Sequence, residues 1–458
     1  MVVFIASPKN IRAISARLHA RLGDFWWYSL MLFCACRAAD LLNAFVGLWL
    51  VPKYVDPSEL GAILPLTNFA TFIAIPASAF ATVFMKEVNT LALNGERGKI
   101  KTLVRGVFMV MAALLLVAAI IAKLALPLFL ERMRLAEGML GFLVIASAFA
   151  GCAAPVYSNV LQALKRFKEI SFMNILAAPV RFIVMFLTMP FRAVSGYFAG
   201  QTAAPMFNII LSVLFLRKDF RVHAEPYWNR SSLKRLSWLF AGVLAYQIFP
   251  VMSGLVEATI IRQRLPEVES SAYYMVTRFS EITCFINGTL LAVMFPYTAE
   301  LSEKGKPTKP FVLKAAAATL GSGAILAAVF AIAGGKILSI LPNGDAYSKF
   351  AWATPCLIVI MTIHAIQSYH TSTEISAGRF GFLKWWIPFH IICPVFLLLV
   401  TGHGYFRGII PTPWTDFLEV HNFTSLKSMV TWFFAAAIVK LCISGIDFHL
   451  HGNGEKST

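Results

Sequence analysis

Twelve stretches of this chain are each long and apolar enough to cross a lipid bilayer, and they constrain the fold more than any other feature. A helix rises about 1.5 Å per residue, so about 20 apolar residues span a hydrocarbon layer of about 30 Å. The runs cover 25–51, 59–85, 102–130, 139–163, 171–189, 195–216, 236–260, 272–298, 311–340, 348–372, 382–401 and 425–446. Each is expected to be helical, because a backbone facing lipid must satisfy its own hydrogen bonds. The composition agrees: 58% of the 458 residues are apolar and 14% charged, whereas a soluble domain carries about 25% charged residues. The net charge of +17 does not point to nucleic acid, since the basic residues sit in short loops between apolar runs.

Those loops orient the chain. With the amino terminus in the cytoplasm, most loop lysines and arginines fall on the cytoplasmic side, where positive charge is retained during insertion. The sequence predicts an all-α integral membrane protein of about twelve transmembrane helices, multi-pass in the bacterial cytoplasmic (inner) membrane, with both termini cytoplasmic. Residues 1–24 form a basic amphipathic segment at the membrane surface, with Ile11, Ile14, Leu18 and Leu22 on one side. Residues 25–216 and 236–446 form two six-helix bundles, 217–235 a basic cytoplasmic linker and 447–458 a cytoplasmic tail. The seven cysteines all lie in apolar runs, without metal-type spacing, and read as small core hydrophobes.

A weak internal repeat supports the division. At a shift of 210 residues Leu66-Thr67-Asn68-Phe69 falls on Val276-Thr277-Arg278-Phe279, Ala62 on Ala272 and Gly95 on Gly305. Arg166-Phe167 falls on Arg379-Phe380 at a shift of 213. Six spans per half is an even number, so the bundles enter the membrane alike and are related by a pseudo-two-fold along the membrane normal, an arrangement suited to rocking about a shared cavity.

A charge at the centre of a transmembrane helix costs roughly 2.5–3.5 kcal/mol on insertion scales, so each one needs a reason. Arg37 and Asp40, continued by Asn43, share a face of the first span, and Arg278 with Glu281 repeats the i, i+3 spacing in the eighth. Each is either a neutralised packing pair or part of a cavity. Arg181, central in the fifth span, has no acidic neighbour there. Glu257, toward the end of the seventh span, is a candidate proton or sodium site or a vestibule residue. Lys440 lies in the last third of the twelfth span, within snorkelling reach of an interface. His364, and His370 with Glu374, are expected to be packed histidines rather than a metal site, since two ligands do not make one. Of the prolines within spans, Pro76 and Pro250 are the hinge candidates.

The stretch from Ser271 through Tyr273-Tyr274 and Thr277-Arg278-Phe279-Ser280-Glu281 to Phe295-Pro296, together with Val51–Gly61 and Leu161–Phe167, resembles bacterial polysaccharide flippases. Their superfamily also holds the multidrug and toxin extruders and the lipid II flippases. The resemblance implies a substrate, an oligosaccharide on a polyprenyl diphosphate, turned from the inner to the outer leaflet by alternating access. Arg37, Arg181 and Arg278 are the candidate binders of its diphosphate. Asp40, Glu281 and Glu257 are then charge partners or ion-coupling groups. The resemblance implies no cofactor and no bound metal. The expected partners are the lipid-linked glycan, membrane lipids, and the glycosyltransferases and polymerase of a glycan pathway.

Lipid II flippases have two further spans, and drug extruders have an acidic site that this amino-terminal half offers only as Asp40 beside an arginine. A cation-coupled drug or metabolite exporter is the rival reading. An integral-membrane polymerase or ligase is a weaker one, because no paired carboxylates, nucleophile elbow or phosphate loop appears. The long outer loop 402–425 has no assigned role.

Overall fold

A computed structural model describes residues 34, 36–135, 139–164, 166–227, 230–284, 287, 307–376, 379–401 and 425–451. The amino-terminal amphipathic segment, most of the loop 402–425 and the motif Phe295-Pro296 lie outside them. Among the described residues there is no strand, and besides the short helices Pro57–Leu60, Asp219–Arg221 and Gly344–Ser348 twelve longer helical segments overlap the twelve expected runs. They are α1 (36–54), α2 (Ile63–Leu93), α3 (Arg97–Arg132), α4 (Met139–Ala163), α5 (Phe167–Thr188), α6 (Ala193–Leu216), α7 (Arg230–Arg264), α8 (Glu267–Ser280), α9 (Lys309–Ser339), α10 (Ala353–Ser376), α11 (Leu383–Thr401) and α12 (Leu426–His451). Eight helices among the described residues are both long and apolar enough to cross a membrane.

Two ends differ from expectation. The linker 217–235 gives up its last residues to α7, which starts at Arg230, and α12 runs to His451, so Asp447 is helical rather than part of a tail. What remains of the linker straps the amino-terminal lobe: Lys101 Nζ donates to the Val222 carbonyl at 2.9 Å and Thr102 Oγ1 to that of Glu225 at 2.6 Å.

Large apolar side chains that the protein leaves uncovered form lipid-facing stripes. On α3, Leu116, Ile120 and Leu124 recur every four residues and are 63%, 56% and 79% exposed. The opposite faces pack α2, α3, α4, α5 and α6 into one lobe, and α7, α9, α10, α11 and α12 into the other.

The lobes meet along two seams that the repeat makes equivalent, α2 against α7 and α8 against α1. Asn68 on α2 passes Gly254 on α7, where an added methyl group would lie 3.7 Å from its Nδ2. Arg278 on α8 passes Gly47 on α1, where the corresponding distance to its Cδ is 3.6 Å. Gly61 and Ser271, separated by the same 210 residues as Asn68 and Arg278, touch each other: the Gly61 amide donates to Ser271 Oγ at 3.1 Å. Residues that are repeat partners and also neighbours lie on the symmetry axis, as in any isologous contact. The pseudo-two-fold therefore runs past Gly61 at one end of the molecule.

That end is closed. Ser271 Oγ donates to the Pro57 carbonyl, Asn343 Nδ2 to that of Pro52 at 2.9 Å, and Arg134 pairs with Glu267 at 3.2 Å. Asn343 holds a left-handed conformation (φ 58°), which asparagine tolerates better than most residues. In the turn between α1 and α2 Asp56 caps the one-turn helix Pro57–Leu60, accepting from the Ser58 amide at 2.9 Å and its hydroxyl at 2.8 Å. These bonds hold the Asp56 carboxyl below the usual carboxylate range.

Candidate functional site

The seam through Arg278 does not close completely. Between α1, α5, α6 and α8 it leaves a cavity of about 200 Å³ lined by Asn43, Arg181, Tyr197, Gln201, Arg278 and Glu281, among others. Here α1 is distorted. Pro52 has no N–H for the Leu48 carbonyl and its ring crowds that group, and the turn Val46–Leu50 just before it is a π-helix, with the Val51 amide bonded to the Val46 carbonyl. The sequence reading had no signal for this register change beyond Pro52 itself. The widened turn contributes Val46, Gly47 and Leu48 to the cavity wall.

Arg278 and Arg181 reach this cavity from different lobes. Arg278 Nη1 pairs with Glu281 Oε2 at 2.7 Å, and its guanidinium carbon lies 4.9 Å from the centre of the Tyr274 ring. Arg181 Nη1 donates to Asn43 Oδ1 at 3.1 Å, and the Nε atoms of both arginines are buried without a hydrogen-bond partner among the described residues. Among the described residues Arg181 has no carboxylate within ion-pair distance. It is therefore the less compensated of the two cations.

The other expected residues are distributed differently. Arg37 is ion-paired to Asp40 at 2.9 Å and is not among the residues lining this cavity, so the structure does not gather all three arginines. Asp40 lines a second cavity, of about 370 Å³ within the amino-terminal lobe, which also reaches Asn43 and Arg181. Glu257 lines neither. Its Oε1 accepts from Ser253 Oγ at 2.8 Å on the wall of a third cavity, of about 610 Å³ in the carboxyl-terminal lobe, with Lys440 and His364 also on the wall. Lys440 does not snorkel: it is 4% exposed. His370 and Glu374 do not act together, since His370 Nε2 lies 2.8 Å from Asp447 and Glu374 takes Arg379 at 2.8 Å. Both hinge candidates lie inside continuous helices of the other seam, Pro76 in α2 and Pro250 in α7.

Tyr197, Gln201 and Tyr274 were not singled out from sequence. Nothing in a span marks an uncharged polar residue as cavity-facing, and Gln201 donating to Tyr197 Oη at 2.7 Å is a contact of side chains one turn apart. His390, on the wall of the third cavity, was missed for a similar reason, although an imidazole among Trp385, Trp386 and Phe389 in an apolar run was a usable sign.

No protein-family model matches the chain, and no curated protein matches it by sequence. Solved structures do match in shape. The inward-facing conformation of a multidrug resistance MATE family transporter of the MOP superfamily superposes with a TM-score of 0.62 at 13% identity, covering 94% of this chain and 100% of that one. The Vibrio cholerae MATE transporter VcmN in its bent form gives 0.60 at 12% identity, over 97% and 99%. A MOP superfamily transporter from Pyrococcus furiosus gives 0.65 at 11%, over 94% and 95%. At such low identity the likeness speaks for architecture, and the chain has the two-lobed, all-α membrane fold of the MATE transporters of the MOP superfamily.

Proposed function

We propose that this protein turns a polyprenyl-diphosphate-linked oligosaccharide across a bacterial cytoplasmic membrane by alternating access of its two lobes. The observation that carries the reading is that Arg181 and Arg278, one from each lobe, line the same cavity at the seam between them. A diphosphate that leaves water needs charge-assisted donors, and guanidinium groups supply them as planar forks. Cations placed on both lobes bind such an anion well only while the lobes are together, which couples binding to their movement. The cavity has room for the phosphates, the glycan extends beyond it, and the polyprenyl chain stays in lipid. No bond is made or broken.

The Gly61 end is closed by contacts between lobes, so the structure represents a state closed at that end. Sequence orientation places that end outside. The fold is compatible with the motion: its relatives in shape include inward-facing and outward-facing conformations of one transporter class.

The rival reading is a cation-coupled exporter. Asp40 favours it, because it lines the cavity inside the amino-terminal lobe, and most of the similar structures are described as multidrug or MATE transporters. The Pyrococcus protein, however, is described as having a binding pocket of reverse polarity that suggests a different function. The fold is therefore not tied to one pocket charge, and the basic chamber here favours an anionic substrate.

The test is complementation of a glycan-export-deficient strain. Arg278→Ala and Arg181→Ala are expected to lower surface glycan by tenfold or more while membrane abundance is unchanged. Normal glycan in both variants, or raised drug tolerance with no effect on glycan, would overturn the reading.

A further inference from the structure

The cavity of about 610 Å³ in the carboxyl-terminal lobe lies in the size range, about 300–1000 Å³, of pockets that bury small molecules. It sits among α7, α10, α11 and α12, with Thr71, Ile75 and Ser78 of α2 forming a wall from the other lobe. Its aromatic side is preorganised. Trp386 Nε1 donates to the Tyr246 carbonyl at 3.2 Å, and the two rings stack at 5.2 Å.

Three polar groups on its wall are poorly satisfied by the protein. His390 is 7% exposed, and neither ring nitrogen has a hydrogen-bond partner among the described residues. Lys440 Nζ lies 4.2 Å from the centre of the Trp386 ring, and among the described residues it has no carboxylate within ion-pair distance. Glu257, on the same wall, accepts one side-chain hydrogen bond among the described residues, from the Ser253 hydroxyl. Burying polar groups without partners is costly, so a site of this kind is built to be filled.

The lining selects the ligand. A lone cation would leave Lys440 unmatched and a lone anion would leave Glu257 unmatched. A purely apolar molecule would leave all three groups unsatisfied. A small zwitterion would spend both its charges on Glu257 and Lys440 and leave the His390 imidazole unsatisfied. A neutral sugar ring answers each feature: its hydroxyls both donate and accept, and its C–H face packs against an aromatic ring. Helix α8 ties this cavity to the basic chamber, since Tyr273 lines the former while Tyr274, Arg278 and Glu281 line the latter.

We propose that the carboxyl-terminal cavity is a saccharide subsite that takes a neutral sugar ring of the transported glycan. The inference rests on the flippase reading, and the experiment separates the two. p-Benzoylphenylalanine is placed at position 389 in this cavity or at position 197 in the basic chamber. Cells producing the glycan are irradiated, and the purified adducts are analysed by mass spectrometry for hexose or hexosamine. Sugar captured from position 389 supports the subsite. Capture of glycolipid from position 197 with no sugar at 389 overturns the subsite and leaves the flippase standing. No sugar at either position overturns both, and an amine or drug-like metabolite at 389 overturns the subsite. In the background of the position-389 probe, His390→Phe keeps the bulk and removes the ring nitrogens, and is expected to cut sugar capture about tenfold, the effect of one lost hydrogen bond to a buried group. His390→Gln, which restores a donor and an acceptor, is expected to recover most of it. Equal capture in all three backgrounds would overturn the role of the imidazole.

Discussion

At Asn68 and at Arg278, positions that the repeat places in register, a polar side chain of one lobe crosses a glycine of the other, and the two crossings end differently. Asn68 is an uncharged amide whose Nδ2 donates to the Gly254 carbonyl at 2.9 Å, so the protein itself satisfies it. Along the same seam Ser78 Oγ donates to Gln247 at 2.7 Å and the Phe80 and Phe240 rings meet edge-on at 5.6 Å. Arg278 is a full charge. Glu281 covers one side of it, and the remainder faces a cavity shared with Arg181. The two seams thus differ at this position: at Asn68 the protein satisfies its own hydrogen bond, and at Arg278 it leaves cationic donors facing a cavity. A single change of residue type at one repeat position, from amide to guanidinium, accompanies that division.

The comparison can be broken most directly by removing the charge. Arg278→Ala is expected to lower glycan export by tenfold or more, since a charge-assisted hydrogen bond contributes about 1.5–3 kcal/mol, while Asn68→Ala leaves export nearly intact. Equal loss in the two variants, measured as surface glycan per unit of membrane protein, would show the seams to be equivalent. Arg278→Lys sharpens the point, with partial recovery expected because charge survives and the planar fork does not.

A smaller effect is expected at the axis. A methyl group at Gly61 would lie 3.0 Å from the Ser270 backbone carbonyl carbon, so Gly61→Ala forces this end of the lobes apart. Labelling of Ser271→Cys by a membrane-impermeant thiol reagent should become several-fold faster in that background. Unchanged labelling would mean that the contact does not close this end.

The smallest effect belongs to Asn68→Ala on stability. Hydrogen bonds between transmembrane helices average about 0.6 kcal/mol, so a drop of only a few degrees in melting temperature in detergent is expected. A larger drop would make the α2–α7 seam the chief brace of the molecule.

Much of this was legible in the chain. The i, i+3 spacing of Arg37 with Asp40 and of Arg278 with Glu281 requires only helical geometry, and both pairs form. The match of Asn68 with Arg278 was weak as sequence and is specific as structure, because each lands on a glycine of the opposite lobe. What could not be read was azimuth and burial depth. Arg37 and Arg181 look alike as mid-span arginines, yet only Arg181 lines the chamber with Arg278. Lys440 had an available route to the interface and instead lies buried on Trp386, a residue more than fifty positions away in sequence.

The sequence by itself determined that the chain is a bundle of membrane helices in two like-oriented halves, because lipid offers the backbone no partner other than itself and an even number of crossings restores direction. Only the tertiary structure decided which of the costly polar groups share a space, because convergence depends on how helices from distant parts of the chain are rotated and set against each other. It separated a basic chamber on one seam from an aromatic chamber between the carboxyl-terminal lobe and α2, with α8 forming part of both walls.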